Sequence, residues 1–161
     1  MTEEKNNLNE IKELSDKITG EIQNRLVGSE DVARSLVISL LVGGHVLIEG
    51  FPGTGKTLVS NLFSKSLDLS TSRIQSTADL MPADITGTRI YNPKSREFEF
   101  REGPIFANII VVDEINRSPP KSQSALLECM QEKQVSADGV TSKLDEPFMV
   151  IATKNALELE G

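Results

Sequence analysis

Apolar residues Leu8, Ile11, Leu14, Ile18, Ile22 and Leu26 recur every three or four positions, which lays a single stripe along a helix and predicts an N-terminal helix over residues 1–25. Gly20 weakens this helix without ending it, and Val27-Gly28 makes a short break. Ser29 or Glu30 then opens a second helix through Val42, apolar enough to be buried on more than one side, and Gly43-Gly44 ends it. Here the period changes. His45-Val46-Leu47-Ile48-Glu49 is a short apolar run leading into a glycine-rich turn, the pattern of a buried parallel strand. A helix starting at Lys56 carries Leu58, Leu62, Phe63 and Leu67, and further strands are predicted at 72–75, 109–112 and 148–152. Pro119-Pro120 starts a helix to about Glu132, because proline fits a first helical turn but not later ones.

Strands alternating with helices predict an α/β fold with a parallel sheet between two helical layers. Two segments fall outside that scheme. Residues 85–103 read as a hairpin around Asn92-Pro93-Lys94-Ser95, with strict alternation in Glu97-Phe98-Glu99-Phe100, and residues 134–145 read as a second hairpin around Asp138-Gly139. With no repeat or linker in its 161 residues, the chain is expected to form one core, built from Leu, Ile and Val because it has no Trp and few other aromatics.

Charge and cysteine usage narrow the function classes. A formal net charge of -7 argues against general nucleic-acid binding, which needs a concentrated basic surface. The single cysteine, Cys129, rules out an intramolecular disulfide, fits a reducing compartment, and reads as a small apolar residue on a packed helix. The N-terminus lacks the basic start and apolar stretch of a secretory signal, and the most apolar segment, 36–42, is too short to span a bilayer. A cytoplasmic protein without membrane insertion is expected. His45 has no metal-ligand companions and is assigned a structural role.

The chemistry concentrates in three places. Gly50-Phe51-Pro52-Gly53-Thr54-Gly55-Lys56-Thr57 matches G-x-x-x-x-G-K-[ST], the P-loop or Walker A motif, with a strand before it and a helix after it. Its glycines let backbone N–H groups turn toward phosphates, and the helix offers its positive end to the same anion. Lys56 would reach the β- and γ-phosphates, and the Thr57 hydroxyl would ligate Mg2+. Ile109-Ile110-Val111-Val112 ends in Asp113-Glu114, which a parallel sheet brings to the P-loop edge, Asp113 as a holder of Mg2+ directly or one step removed and Glu114 as the carboxylate that polarises water. Asn155, beyond the strand at 148–152, is placed to hydrogen-bond the γ-phosphate or the water.

Those residues, in that order, resemble the AAA+ ATPases: Walker A at 50–57, Walker B at 109–114 and sensor 1 at Asn155. The resemblance narrows to the MoxR group through Asp79-Leu80-Met81-Pro82-Ala83-Asp84-Ile85-Thr86-Gly87, Gly103-Pro104-Ile105-Phe106-Ala107-Asn108, Asp113-Glu114-Ile115-Asn116-Arg117 and Gln123-Ser124-Ala125-Leu126-Leu127-Glu128, and covers residues 26–161. It implies a P-loop NTPase αβα sandwich in which the hairpin at 85–103 is the helix-2 insert and the one at 134–145 the pre-sensor-1 hairpin. It further implies a nucleotide-binding set of Val27, Gly28, Gly50, Pro52, Gly53, Thr54, Gly55, Lys56, Thr57 and Leu58, with Leu26-Val27-Gly28 against the adenine. The catalytic set is Lys56, Glu114 and Asn155, and the metal set Thr57 and Asp113. ATP and Mg2+ are the implied ligands. The implied assembly is a homo-oligomeric ring, a hexamer, that remodels client proteins, often with a partner carrying a von Willebrand factor A domain.

The chain departs from the family at Lys154, where Gln is more common, at Ala156, where Pro is, and at Ser29, where Gln is. It is expected to stop before an arginine-finger helix, a fifth strand beside the first and a helical lid with sensor 2, and therefore to hydrolyse ATP poorly alone. Two rival readings stand beside the ATPase: a nucleotide-binding or interaction module without turnover, and a P-loop kinase. Arg117 carries two readings, one acting on a neighbouring subunit's nucleotide and one pairing with a nearby carboxylate. Lys94 and Arg96 at the first hairpin's tip read as a solvated turn or as a pore-facing contact to client.

Overall fold

The computed structural model describes residues 2–137 and 140–156. In chain order its elements are α1 (Thr2–Gln23), α2 (Glu30–Leu41), β1 (Val46–Gly50), α3 (Lys56–Ser66), β2 (Thr71–Gln75), the short α4 (Pro82–Thr86), β3 (Gly87–Asn92), β4 (Glu97–Glu102), β5 (Ile109–Asp113), α5 (Pro120–Glu132), β6 (Gln134–Ala137), β7 (Val140–Lys143) and β8 (Met149–Asn155). Four strands form one parallel sheet in the order β1-β8-β5-β2. The two central strands are buried on both faces, which is why Ile109-Ile110-Val111-Val112 and Met149-Val150-Ile151-Ala152 read as unbroken apolar runs.

Alternation along those strands divides the core. Ile109, Met149 and Ile151 pack with Ile18 and Ile22 of α1, Ala33, Leu36 and Val37 of α2, and Val59 and Phe63 of α3. Ile110, Val112, Val150 and Ala152 face the other way, onto Ile85 of α4, Leu126 and Cys129 of α5, and Val135 and Leu144 around the second hairpin. The result is the αβα sandwich of a P-loop NTPase. Burial of Cys129 pushes its thiol up to about 11, the expected behaviour of a packed helix residue. His45 is structural: the Val150 N–H donates to its Nδ1 at 3.0 Å, its Nε2 faces the Met130 carbonyl at 3.4 Å, and its ring stands edge-on to Phe148.

Along the α1 stripe Ile18 and Ile22 pack against α2 and α3, while Ile11 and Leu14 are exposed. Two expectations need correction. Ile85 and Thr86 belong to α4, so the first hairpin starts at Gly87. There the backbone has φ +97, and a side chain would overlap Arg101 O and Gly103 N. Asn155 is the last residue of β8, in register with Gly50, rather than a loop residue beyond the strand. The second hairpin is formed by β6 and β7, and its Asp138-Gly139 turn lies outside the described residues. Among the described residues β1 is an edge strand, on the side where the resemblance expects a further strand, and no helix is long and apolar enough to cross a membrane.

Candidate functional site

Parallel strands end together, and the C-terminal ends of β1, β5 and β8 converge on the start of α3. Gly50 closes β1, and the loop from Phe51 to Gly55 delivers the chain into α3 at Lys56. Gly53 and Gly55 take positive φ of 79 and 82, turning the loop backbone inward. Gly55 is doubly constrained, since a Cβ there would lie 3.1 Å from Leu26 Cδ2. Leu26 therefore seats the segment that leads into α2 directly against the loop.

Pro52, Gly53, Thr54, Gly55, Lys56, Thr57 and Leu58 line a pocket of about 340 Å³ together with Glu114, Thr153 and Asn155. A second hollow of about 200 Å³ shares Thr54, Gly55 and Lys56 with it and runs past Val27, Gly28 and Ile48. Val27 is 96% exposed there. The nucleotide-binding candidates other than Gly50 thus line two adjoining hollows, a polar one at the P-loop and one with an apolar wall at Val27.

The polar end is a closed set of hydrogen bonds. Lys56 Nζ donates to the carbonyls of Gly50 and Phe51, each at 2.8 Å, and to Asn155 Oδ1 at 3.0 Å. Asn155 Nδ2 donates to Glu114 Oε1 at 3.0 Å, and Arg117 Nη1 to Glu114 Oε2 at 2.9 Å. Within its own chain Arg117 thus has a carboxylate partner. Glu114 itself has φ 55, an uncommon conformation for a residue with a side chain. The turn lets its N–H meet Thr153 Oγ1 at 3.0 Å.

Asp113 is 2% exposed, and each of its oxygens has a partner: Thr57 Oγ1 donates to Oδ1 at 2.6 Å and Arg73 Nε to Oδ2 at 2.6 Å. A hydroxyl beside a buried carboxylate is a hard-oxygen donor set that suits Mg2+. No group of three or more His, Cys, Asp or Glu gathers among the described residues. Sequence reasoning missed Arg73 and Thr153. Thr153 carried a signal, as a polar residue ending the apolar run Met149-Val150-Ile151-Ala152, whereas Arg73 stands in the mostly polar strand Thr71–Gln75 and carried none. At the family's points of departure, Lys154 Nζ lies 3.7 Å from Glu49, and the Ala156 N–H donates to Gly50 O at 3.2 Å, a bond a proline could not make.

A P-loop at the end of β1, an acidic pair at the end of β5 and an amide at the end of β8 between them place the chain in the P-loop NTPase fold class. A profile of the ATPase family associated with various cellular activities (AAA) matches residues 45–161. The chain is 50% identical over 145 residues to protein YeaC of Bacillus subtilis (strain 168), covering 90% of this chain and 45% of that one. It is 48% identical over 141 residues to the chaperone MoxR1 of Mycobacterium tuberculosis, covering 88% of this chain and 37% of MoxR1. A crystal structure of a candidate ATPase from Cytophaga hutchinsonii superposes with a TM-score of 0.79 at 45% identity, over the whole of this chain and 50% of the other. The chain belongs to the AAA family of ATPases, in its MoxR group, and spans about half the length or less of the relatives it matches.

Proposed function

We propose that this chain binds ATP with Mg2+ and hydrolyses it, as the nucleotide-binding part of a MoxR-like ring that remodels client proteins. The observation that carries the reading is the linked set Lys56–Asn155–Glu114 facing the P-loop pocket beside Thr57 and Asp113. Backbone N–H groups of the loop and the N-terminus of α3 bind the phosphates. All three Lys56 donors have protein acceptors, so phosphate binding exchanges at least one of these carbonyl bonds for a phosphate oxygen. Thr57 and Asp113 would hold Mg2+, which neutralises charge on the phosphates.

Glu114 accepts a proton from the attacking water; Asn155 and Arg117 fix the plane of its carboxylate while leaving lone pairs on both oxygens. Asn155 touches both Lys56 and Glu114, so a change at the phosphate end is passed to the base through one amide. The match to the AAA family of ATPases favours water over an acceptor substrate as the attacking group, and so the ATPase over the kinase reading.

The ring, taken as a hexamer, the client proteins and a von Willebrand factor A partner extend the reading from the MoxR resemblance and the MoxR1 chaperone relative. A cytoplasmic setting extends it from the single cysteine. Phosphate release from ATP with no acceptor added tests the proposal. The parent chain is expected to release phosphate, and Glu114→Gln to bind ATP normally while losing about 10² to 10⁴ in rate. Equal rates for the two would assign the chain to nucleotide binding without turnover.

A further inference from the structure

Arg73 lies on β2, in register with Val111 of β5, two residues before Asp113. Its neighbour Ile74 packs into the core on the α5 side of the sheet, so alternation sends Arg73 to the opposite face, where α3 and the P-loop lie. There its Nε meets Asp113 Oδ2 at 2.6 Å. The Asp113 side chain is 3% exposed and that of Arg73 56%, so an almost fully buried carboxylate is balanced by a guanidinium reaching in from the surface.

The other Asp113 oxygen, Oδ1, accepts the single proton of the Thr57 hydroxyl at 2.6 Å. That bond decides what Thr57 can offer. With its proton committed to Asp113, only lone pairs remain to face the phosphate pocket it lines, and lone pairs are what a cation needs. The Thr57 bond therefore depends on how the Asp113 carboxylate is rotated, and Arg73 fixes that rotation through the opposite oxygen.

Granted the reading of this site as a magnesium-nucleotide centre, the geometry points to Arg73 as a positioning residue for the metal, acting through Asp113 on Thr57. Among the described residues the hydrogen-bond partner of the Arg73 side chain is Asp113 and not a P-loop residue, so its removal leaves the phosphate cradle's own hydrogen bonds in place. Without it, Asp113 is free to rotate and the Thr57 proton is no longer held away from the pocket. Outer-shell partners of this kind typically change metal affinity by about 10- to 100-fold.

The test is a calorimetric titration of the 161-residue chain with ADP, once in MgCl2 and once in EDTA, for the parent, Arg73→Ala, Arg73→Gln and Arg73→Lys. The expected result for Arg73→Ala is an unchanged affinity in EDTA and a Mg2+-dependent gain reduced about tenfold, with part of the gain restored by lysine. If Arg73→Ala does not fold, Arg73→Gln must show the reduced gain. A folded Ala or Gln variant whose Mg2+-dependent gain equals the parent's overturns the role of Arg73 alone. A parent that binds no ADP, or gains nothing from Mg2+, overturns the reading of the site and the role of Arg73 with it.

Discussion

Asn155 is the residue on which the two halves of the candidate site meet. Its amide accepts from Lys56 and donates to Glu114, so neither oxygen nor nitrogen can be replaced without releasing one of them. The orientation of the amide is set by chemistry, since a lysine needs an acceptor and a carboxylate a donor. Removing this link should leave the phosphate cradle standing and disturb the base. Asn155→Ala is therefore expected to cut turnover about 10²-fold while changing nucleotide affinity little, measured by steady-state phosphate release beside a binding titration. Loss of affinity with turnover per bound nucleotide preserved would show that Asn155 serves binding instead. Lys56, Thr57, Asp113 and Glu114 were legible in the sequence because their motifs fix residue type, spacing and flanking elements together. Arg73 was not, because a lone arginine in a five-residue strand gains meaning only when the neighbouring strand and its register are known.

At the scale of elements, strand and helix positions followed from period, and the exceptions have physical causes. Periodicity showed that α1 is amphipathic but not how much of it a neighbour would cover, and Ile11 and Leu14 remain exposed. It also gave no sign that α4 interposes a helical turn before the first hairpin. The apolar run that marks β8 ends before Asn155, whereas pairing with Gly50 extends the strand to it. His45 shows a similar limit: its lack of companions pointed to a structural role, but only the fold shows it tied to Val150 and Met130 at the start of β1.

Burial lowers the His45 pKa, with Lys133 adding to the effect and the Met130 contact opposing it. The unfolded chain, with a His near 6.5, then binds more protons than the folded chain over the interval between the two values. The stabilisation is complete above that unfolded value and is lost as pH falls through the folded one. Urea unfolding should show declining stability as pH drops below about 6.5, with the decline in that window absent from His45→Gln. An identical decline in the variant would assign it to other groups. Carboxylates such as Glu146, held low by Lys133, act in a more acidic range.

For the molecule as a whole, the sheet order explains why residues from positions 52 to 155 line one pocket. β8 is inserted between β1 and β5, so the P-loop, the acidic pair and Asn155 end side by side although the sequence separates them widely. The α/β class and the layering were legible from strand–helix alternation; strand order was not, because alternation alone does not say which strand pairs with which. The central claim is that this edge of the sheet holds a nucleoside triphosphate and its metal. Isothermal calorimetry of the folded chain with ATP and MgCl2 tests it most directly. One bound nucleotide per chain is expected for the parent and no measurable binding for Lys56→Ala. Absence of heat from well-folded parent, or equal binding by the Lys56→Ala variant, would contradict it.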